Sequence, residues 1–298
     1  MKKIVKVILS CAVLLGIYFQ GWAGDEIKIV SLSPNLTELI FHLGKGDCIV
    51  GRSSACDYPE EVKKIPVAGK FGAPSMEVVA RLRPDYVVSS GIKDEGVRKN
   101  IEGLGIKVLL LPNETIDEYY LAVSELGKIL DCQNEAEKEI LRVRNIIAEE
   151  KKLTEGVPVG KRPRVYLEVW DNPLMTVGKK SFVNDLISIS GGVNVAGQEE
   201  IGYLKCSREW IILSKPEVIV APAMGKFAGA EIKKRQGWGE TPAVKNDRIY
   251  VGMDESVIYR LGPRMTEALK LFRKCFYPED KSSVNSNGKG DLAGQGGK

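Results

Sequence analysis

Histidine is nearly absent from the chain: His42 is the only one in 298 residues. A cluster of imidazoles holding zinc or manganese is therefore excluded, and a Ser-His-Asp or Cys-His enzyme would have to be built on His42. His42 sits between apolar positions of the helical pattern Leu36 to Leu43, so it is expected on a solvated helix face. Glycine-rich phosphate loops are missing as well. Gly103-Leu104-Gly105 lacks the third glycine of a dinucleotide fingerprint, and Gly156 to Lys161 lacks the spacing of a P-loop. Gly51-Arg-Ser-Ser-Ala55 ends in alanine where a nucleophile elbow needs glycine. No two cysteines stand in a CxxC pair. The formal net charge is only +4, and Lys2, Lys3 and Lys6 supply three of those charges at the extreme N-terminus, so the near-neutral remainder gives no footprint for nucleic acid.

Long apolar runs are confined to the first residues. A basic start (Lys2, Lys3, Lys6), an apolar run from Val7 to Phe19, and small residues at Gly21 and Ala23 read as a signal peptide over residues 1–23. The run is short for a membrane span, so cleavage after Ala23 is expected, with an uncleaved anchor or lipidation at Cys11 as alternatives. Export places the mature chain in an oxidising compartment. There it carries Cys48, Cys56, Cys132, Cys206 and Cys275, an odd number, so one thiol at least has no partner to bridge. Their pairing is open, and buried or unbridged thiols are expected.

What fills the rest is an alternation of apolar strand-like runs with helical patterns, which argues for α/β architecture with mostly parallel sheets. Strands are predicted at Ile27–Leu32, Cys48–Arg52, Tyr86–Ser89, Lys107–Leu111, Val165–Val169, Val218–Ala221 and Ile249–Val251. Helices are predicted between them, the first opened by Ser33-Pro34 and closed by Gly44. Asn134 to Leu153 contains neither Gly nor Pro and reads as one long helix. The segment Ser75 to Val88 recurs as Ser207 to Val220: Ser-x-Glu, three apolar residues, a basic residue before Pro, an acid, then a strand. Serine is expected to cap each helix, Glu77 or Glu209 to complement its dipole, and Pro84 or Pro216 to end it. Two such units around a long helix suggest related lobes. The expected layout is 1–23 signal peptide, 24–132 N-terminal lobe, 133–154 connecting helix, 155–277 C-terminal lobe and 278–298 disordered tail. The tail is almost devoid of apolar residues. Tyr58, Phe71, Trp170, Tyr203 and Trp238 fall in loops or at strand ends, where ligands bind in open α/β sheets, and their flat rings suit a bulky apolar or planar ligand.

Several segments together resemble the helical-backbone periplasmic solute-binding proteins that feed cobalamin and iron-chelate importers of the ABC type, above all the cobalamin-binding branch. The likeness runs from Ile27 to Phe276. It is carried by Ile29-Val-Ser-Leu-Ser-Pro-Asn-Leu-Thr-Glu38, Gly51-Arg-Ser-Ser-Ala-Cys-Asp-Tyr-Pro59, Ser75-x-Glu77 with Leu82-Arg-Pro-Asp85, Asn172-Pro-Leu-Met-Thr176 with Gly178-Lys179, Gly191-Gly-Val-Asn194, Ser207-Arg-Glu209 and Gly262-Pro-Arg264. The resemblance implies two α/β lobes joined by a single long helix, a small molecule held in the cleft between them, and no enzymatic activity or cofactor. It also implies a monomer that docks on the transmembrane subunits of a transporter through one surface glutamate per lobe, at positions matched by Glu77 and Glu209. The implied ligand contacts are Tyr58, Phe71, Trp170, Met175, Tyr203 and Arg260. Phe71 matches an aromatic position, Tyr203 falls near another, Met175 and Val169 replace aromatics, and Ala55 and Ser90 stand where cobalamin binders carry Tyr and Trp. Arg260 lies on a loop where siderophore binders often place a basic residue. The expected function is capture of a cobalt corrinoid, cobalamin, in the periplasm. The alternatives are a receptor for an iron–siderophore or haem, a periplasmic enzyme using a cleft carboxylate pair, and a scavenger without a transporter.

Overall fold

The computed structural model describes residues 27–222 and 228–278. The leader at 1–23, Cys11 and the tail from residue 279 onward lie outside them. The chain forms two compact units, one built from residues up to Ser33 together with Lys45–Leu110, the other from Pro34–Gly44 and the chain from Leu111 onward.

In the first unit, strands β1 (Ile29–Ser31), β2 (Ile49–Ser53), β3 (Val67–Lys70), β4 (Ala73–Pro74), β5 (Tyr86–Ser89) and β6 (Lys107–Leu110) make one sheet in the order β4-β3-β2-β1-β5-β6. All neighbours are parallel except β3 and β4. Parallel strands need a crossover, and helix α2 (Met76–Leu82) and helix α3 (Glu95–Glu102) supply two of them. Val30, Leu32, Ala68, Val79, Val87 and Ile101 are buried together as the core of this unit.

In the second unit, β7 (Arg164–Leu167), β10 (Val193–Asn194), β12 (Val218–Ala221) and β13 (Ile249–Val251) form a parallel sheet in the order β10-β7-β12-β13. A separate antiparallel ribbon holds β8 (Trp170–Asp171), β9 (Leu174–Val177) and β11 (Tyr203–Lys205). Helix α1 (Pro34–His42) belongs to this second unit. So do α4 (Ile116–Ile129), α5 (Gln133–Glu155), α6 (Phe182–Ile189), α7 (Arg208–Leu213) and α11 (Met265–Phe276). Proline opens α1 and Gly44, at φ 75°, follows its end, as expected. The Ser33 hydroxyl accepts from the Ser90 backbone N–H at 2.8 Å and the Ser90 hydroxyl at 3.0 Å.

Helix α5 covers 23 residues, about 35 Å at the α-helical rise. Ala136, Glu139, Val143, Glu150 and Thr154 are its buried positions, and α4, α6 and α11 pack against it. One side of the long helix is thus an integral wall of the second unit.

The two copies of the repeat fold alike. Each helix stops short of its proline, because Arg83 and Lys215 both take the left-handed conformation at φ 47° and turn the chain into the next strand. The following acid then clamps the start of the neighbouring parallel strand. Asp85 Oδ2 accepts from Lys28 N–H at 2.8 Å, and Glu217 Oε2 from Arg164 N–H at 2.9 Å. The caps differ. Ser207 accepts from Trp210 N–H at 3.1 Å, whereas the Ser75 side chain makes no cap.

Candidate functional site

The ribbon β8-β9-β11 gathers three of the predicted ligand contacts. Residues directly opposite in a sheet share a face. Trp170 stands opposite Met175, Met175 opposite Lys205, and Val177 opposite Tyr203. Trp170, Met175, Tyr203 and Lys205 therefore project to one side of the ribbon. The other side carries Leu174, which packs on the core of this unit, and Thr176, which is buried. This face is open at Trp170, 56% exposed, and Tyr203, 42% exposed, while Val177 at its Tyr203 end is buried. Trp170 donates its indole N–H to Asn172 O at 2.8 Å, which fixes the ring's orientation. Burial raises the Tyr203 phenol above its ordinary pKa, so it stays protonated at neutral pH. Lys205 was not singled out by the sequence. The signal that could have found it is its two-residue spacing from Tyr203 on a strand.

In the first unit the C-terminal ends of the parallel strands carry the other predicted contacts, where open α/β sheets place ligands. Phe71 lies in the tight turn between β3 and β4, 49% exposed. Its ring rests on Gly91, where an added Cβ would come within 2.7 Å of it, so a larger residue there would make the ring shift. Gly91 follows β5 beside a serine cluster in which Ser33 bonds Ser90, and Gly91 N–H donates to Ser89 Oγ at 3.0 Å. Tyr58, 46% exposed, closes the loop after β2. Glu77 and Glu209 are exposed in the first turns of α2 and α7.

Two further residues singled out from the sequence are engaged with partners inside the second unit. Trp238 is fully buried, edge-on to Tyr166 at 5.8 Å between centroids and beneath the Arg235 guanidinium at 4.6 Å. It fills the core among Tyr166, Ile211, Ile219, Ile232 and Ala243, residues distant from it or scattered in sequence, so local sequence does not announce the contact. Arg260 is committed to a buried ion pair. Glu38 accepts from Arg260 at 2.9 Å and from both Nε and Nη2 of Arg264 at 2.9 Å. Its guanidinium is thereby tied to α1.

His42 is exposed on helix α1, as expected, and it also reaches a partner on a second helix. Its Nε2 lies 2.7 Å from Glu139 Oε2, a carboxylate 97 residues away in sequence. Glu139 also accepts from Tyr119 Oη at 2.6 Å and from Arg142 Nε at 2.6 Å. Burial alone would raise this carboxyl; the hydrogen bonds from Arg142, His42 and Tyr119 outweigh it and hold the pKa at about 2. The bond ties α1 to α5, a structural role for the one histidine of the sequence. The five described cysteines are thiols and not disulfides. Burial pushes the Cys275 thiol up to about 12, which makes it inert. Among the described residues no group of His, Cys, Asp and Glu could hold a metal ion, and no helix is long and apolar enough to cross a membrane.

Each α/β unit carries exposed aromatic side chains at or beyond its strands. The chain belongs to the periplasmic binding protein family, whose model matches residues 29–255. An uncharacterized ABC transporter substrate-binding lipoprotein of Bacillus subtilis is 29% identical over 85% of this chain and 80% of its own length. The vitamin B12-binding protein of Salmonella typhimurium is 28% identical over 89% of this chain and 96% of its own. The periplasmic heme-binding protein RhuT of Roseiflexus sp. RS-1, in apo form, superposes with a TM-score of 0.75 at 25% identity, covering 85% of this chain and 98% of that one. The protein is a substrate-binding component of an ABC transporter and not an enzyme. Such proteins bind small ligands and interact with permease subunits.

Proposed function

We propose that the protein captures a cobalt corrinoid, cobalamin, in the periplasm and hands it to the permease of an importer. The observation that carries this reading is the open face of Trp170, Met175 and Tyr203 on the ribbon, a flat apolar platform of the kind a macrocycle stacks on. The likeness to a vitamin B12-binding protein over nearly the full length of both chains supports the corrinoid. Glu77 and Glu209 dock the permease, where paired carboxylates give orientation and on-rate more than raw affinity. The chain acts as a monomer, exported by the leader at 1–23.

Haem is the second reading, favoured by the likeness to a heme-binding protein at a TM-score of 0.75. Either ligand brings its own metal as cargo. Quenching of intrinsic tryptophan fluorescence by cyanocobalamin, haemin and ferric siderophores decides among them. Saturable quenching by cyanocobalamin at micromolar concentration is expected, and it should shrink in Trp170→Phe. No response to cyanocobalamin overturns the corrinoid reading, and a response to haemin alone replaces it with the second.

A further inference from the structure

The row Trp170–Met175–Lys205 places an ammonium group beside an apolar platform. Adjacent strands lie about 4.8 Å apart, so the Lys205 backbone is about 5 Å from that of Met175 and about 10 Å from that of Trp170. Lys205 is exposed and, among the described residues, its amine takes part in no ion pair. Lys179, Lys233 and Lys245 pair with Glu200, Asp247 and Glu240, while Lys180, Lys215 and Lys234 are exposed without an ion pair among the described residues; what sets Lys205 apart is its place in the row with Met175 and Trp170. A ligand stacked on Trp170, Met175 and Tyr203 strips water from whatever shares their face. Dehydrating an unpaired ammonium is costly, and only a negative group within contact distance offsets the loss.

We infer that Lys205 is a specificity-determining residue which pairs with an oxyanion on the rim of the ligand. The ligand class is then a large, flat or macrocyclic molecule with an apolar face and a peripheral carboxylate or phosphodiester. This inference rests on the assignment of the ribbon face as the ligand platform. A porphyrin propionate and the phosphodiester of a corrinoid's nucleotide loop present the same chemistry, and paired probes separate them.

The experiment uses the full chain as wild type, Lys205→Gln, Lys205→Arg and Trp170→Ala, each checked for an unchanged thermal melt. Each is titrated with haemin and haemin dimethyl ester, and with cyanocobalamin and dicyanocobinamide, which lacks the phosphodiester. Lys205→Gln should weaken binding of the anionic member of a pair by about tenfold or more, as for loss of a charge-assisted hydrogen bond, and leave the member without the oxyanion unchanged. Lys205→Arg should retain the discrimination. Trp170→Ala should weaken both members alike. Equal affinities of Lys205→Gln and wild type for the anionic member, or an equal loss for both members, overturn the role of Lys205 while leaving the platform intact. Unchanged binding in Trp170→Ala, or no binding of any probe by wild type, overturns the platform and Lys205 with it.

Discussion

Replacing Glu139 by glutamine removes a buried charge that three helices share. The carboxylate is about 2% exposed in its side chain and holds His42 from α1, Tyr119 from α4 and Arg142 from its own helix. Arg142 in turn donates to Pro263 O at 2.8 Å, so the loss reaches the segment that leads into α11. Its pKa of about 2, against an ordinary 4.5, corresponds to about 3 kcal/mol of stability. The sign is that of a depressed acid: the contribution is complete above the unfolded-state value, and it is lost as pH falls toward 2. About 2 kcal/mol of it should be gone by pH 3. Glu139→Gln should therefore be about 3 kcal/mol less stable than wild type at pH 7, and the gap should narrow to about 1 kcal/mol at pH 3. Urea unfolding followed by far-ultraviolet circular dichroism at both pH values measures it. A gap that stays constant between pH 7 and pH 3, or one below about 0.5 kcal/mol at pH 7, would refute the assignment of Glu139 as a charged hub.

Charge reversal at both Glu77 and Glu209 should leave ligand affinity unchanged and abolish uptake in cells dependent on this receptor; unchanged uptake removes the docking role. Arg83→Gly and Lys215→Gly should each stabilise the protein by about 0.5–1 kcal/mol, since both side chains are exposed at φ 47°, a conformation that costs non-glycine residues. Loss of stability in thermal melts would mean that those side chains do more than turn the chain. Trp238→Ala should cost about 3–5 kcal/mol through the cavity it leaves. Trp170→Ala should cost less than about 0.5 kcal/mol in the same melt, because its ring is on the surface.

The repeat was legible in residues 75–88 and 207–220 because helix start, helix stop and strand are encoded within a few positions of one another. Local chemistry also sufficed for α1 between Pro34 and Gly44, for the long helix α5, and for β1, β2, β5, β6, β7, β12 and β13, but not for the short strands β3, β4 and β10. It did not distinguish Trp170 from Trp238. Both stand in short irregular stretches, and only the packing of Tyr166 and Arg235 around Trp238 made one core and left the other on a ribbon face. The same holds for charge. Nothing near Arg260 in sequence announces Glu38, 222 residues away, nor does anything near His42 announce Glu139. The free amine of Lys205 became meaningful only once register placed it opposite Met175. Sequence fixes short-range periodicity and turn chemistry, since these depend on neighbours a few bonds apart. Which side chains are spent on one another, and which stay open to a ligand, depends on contacts between distant segments, and those exist only after the chain has closed.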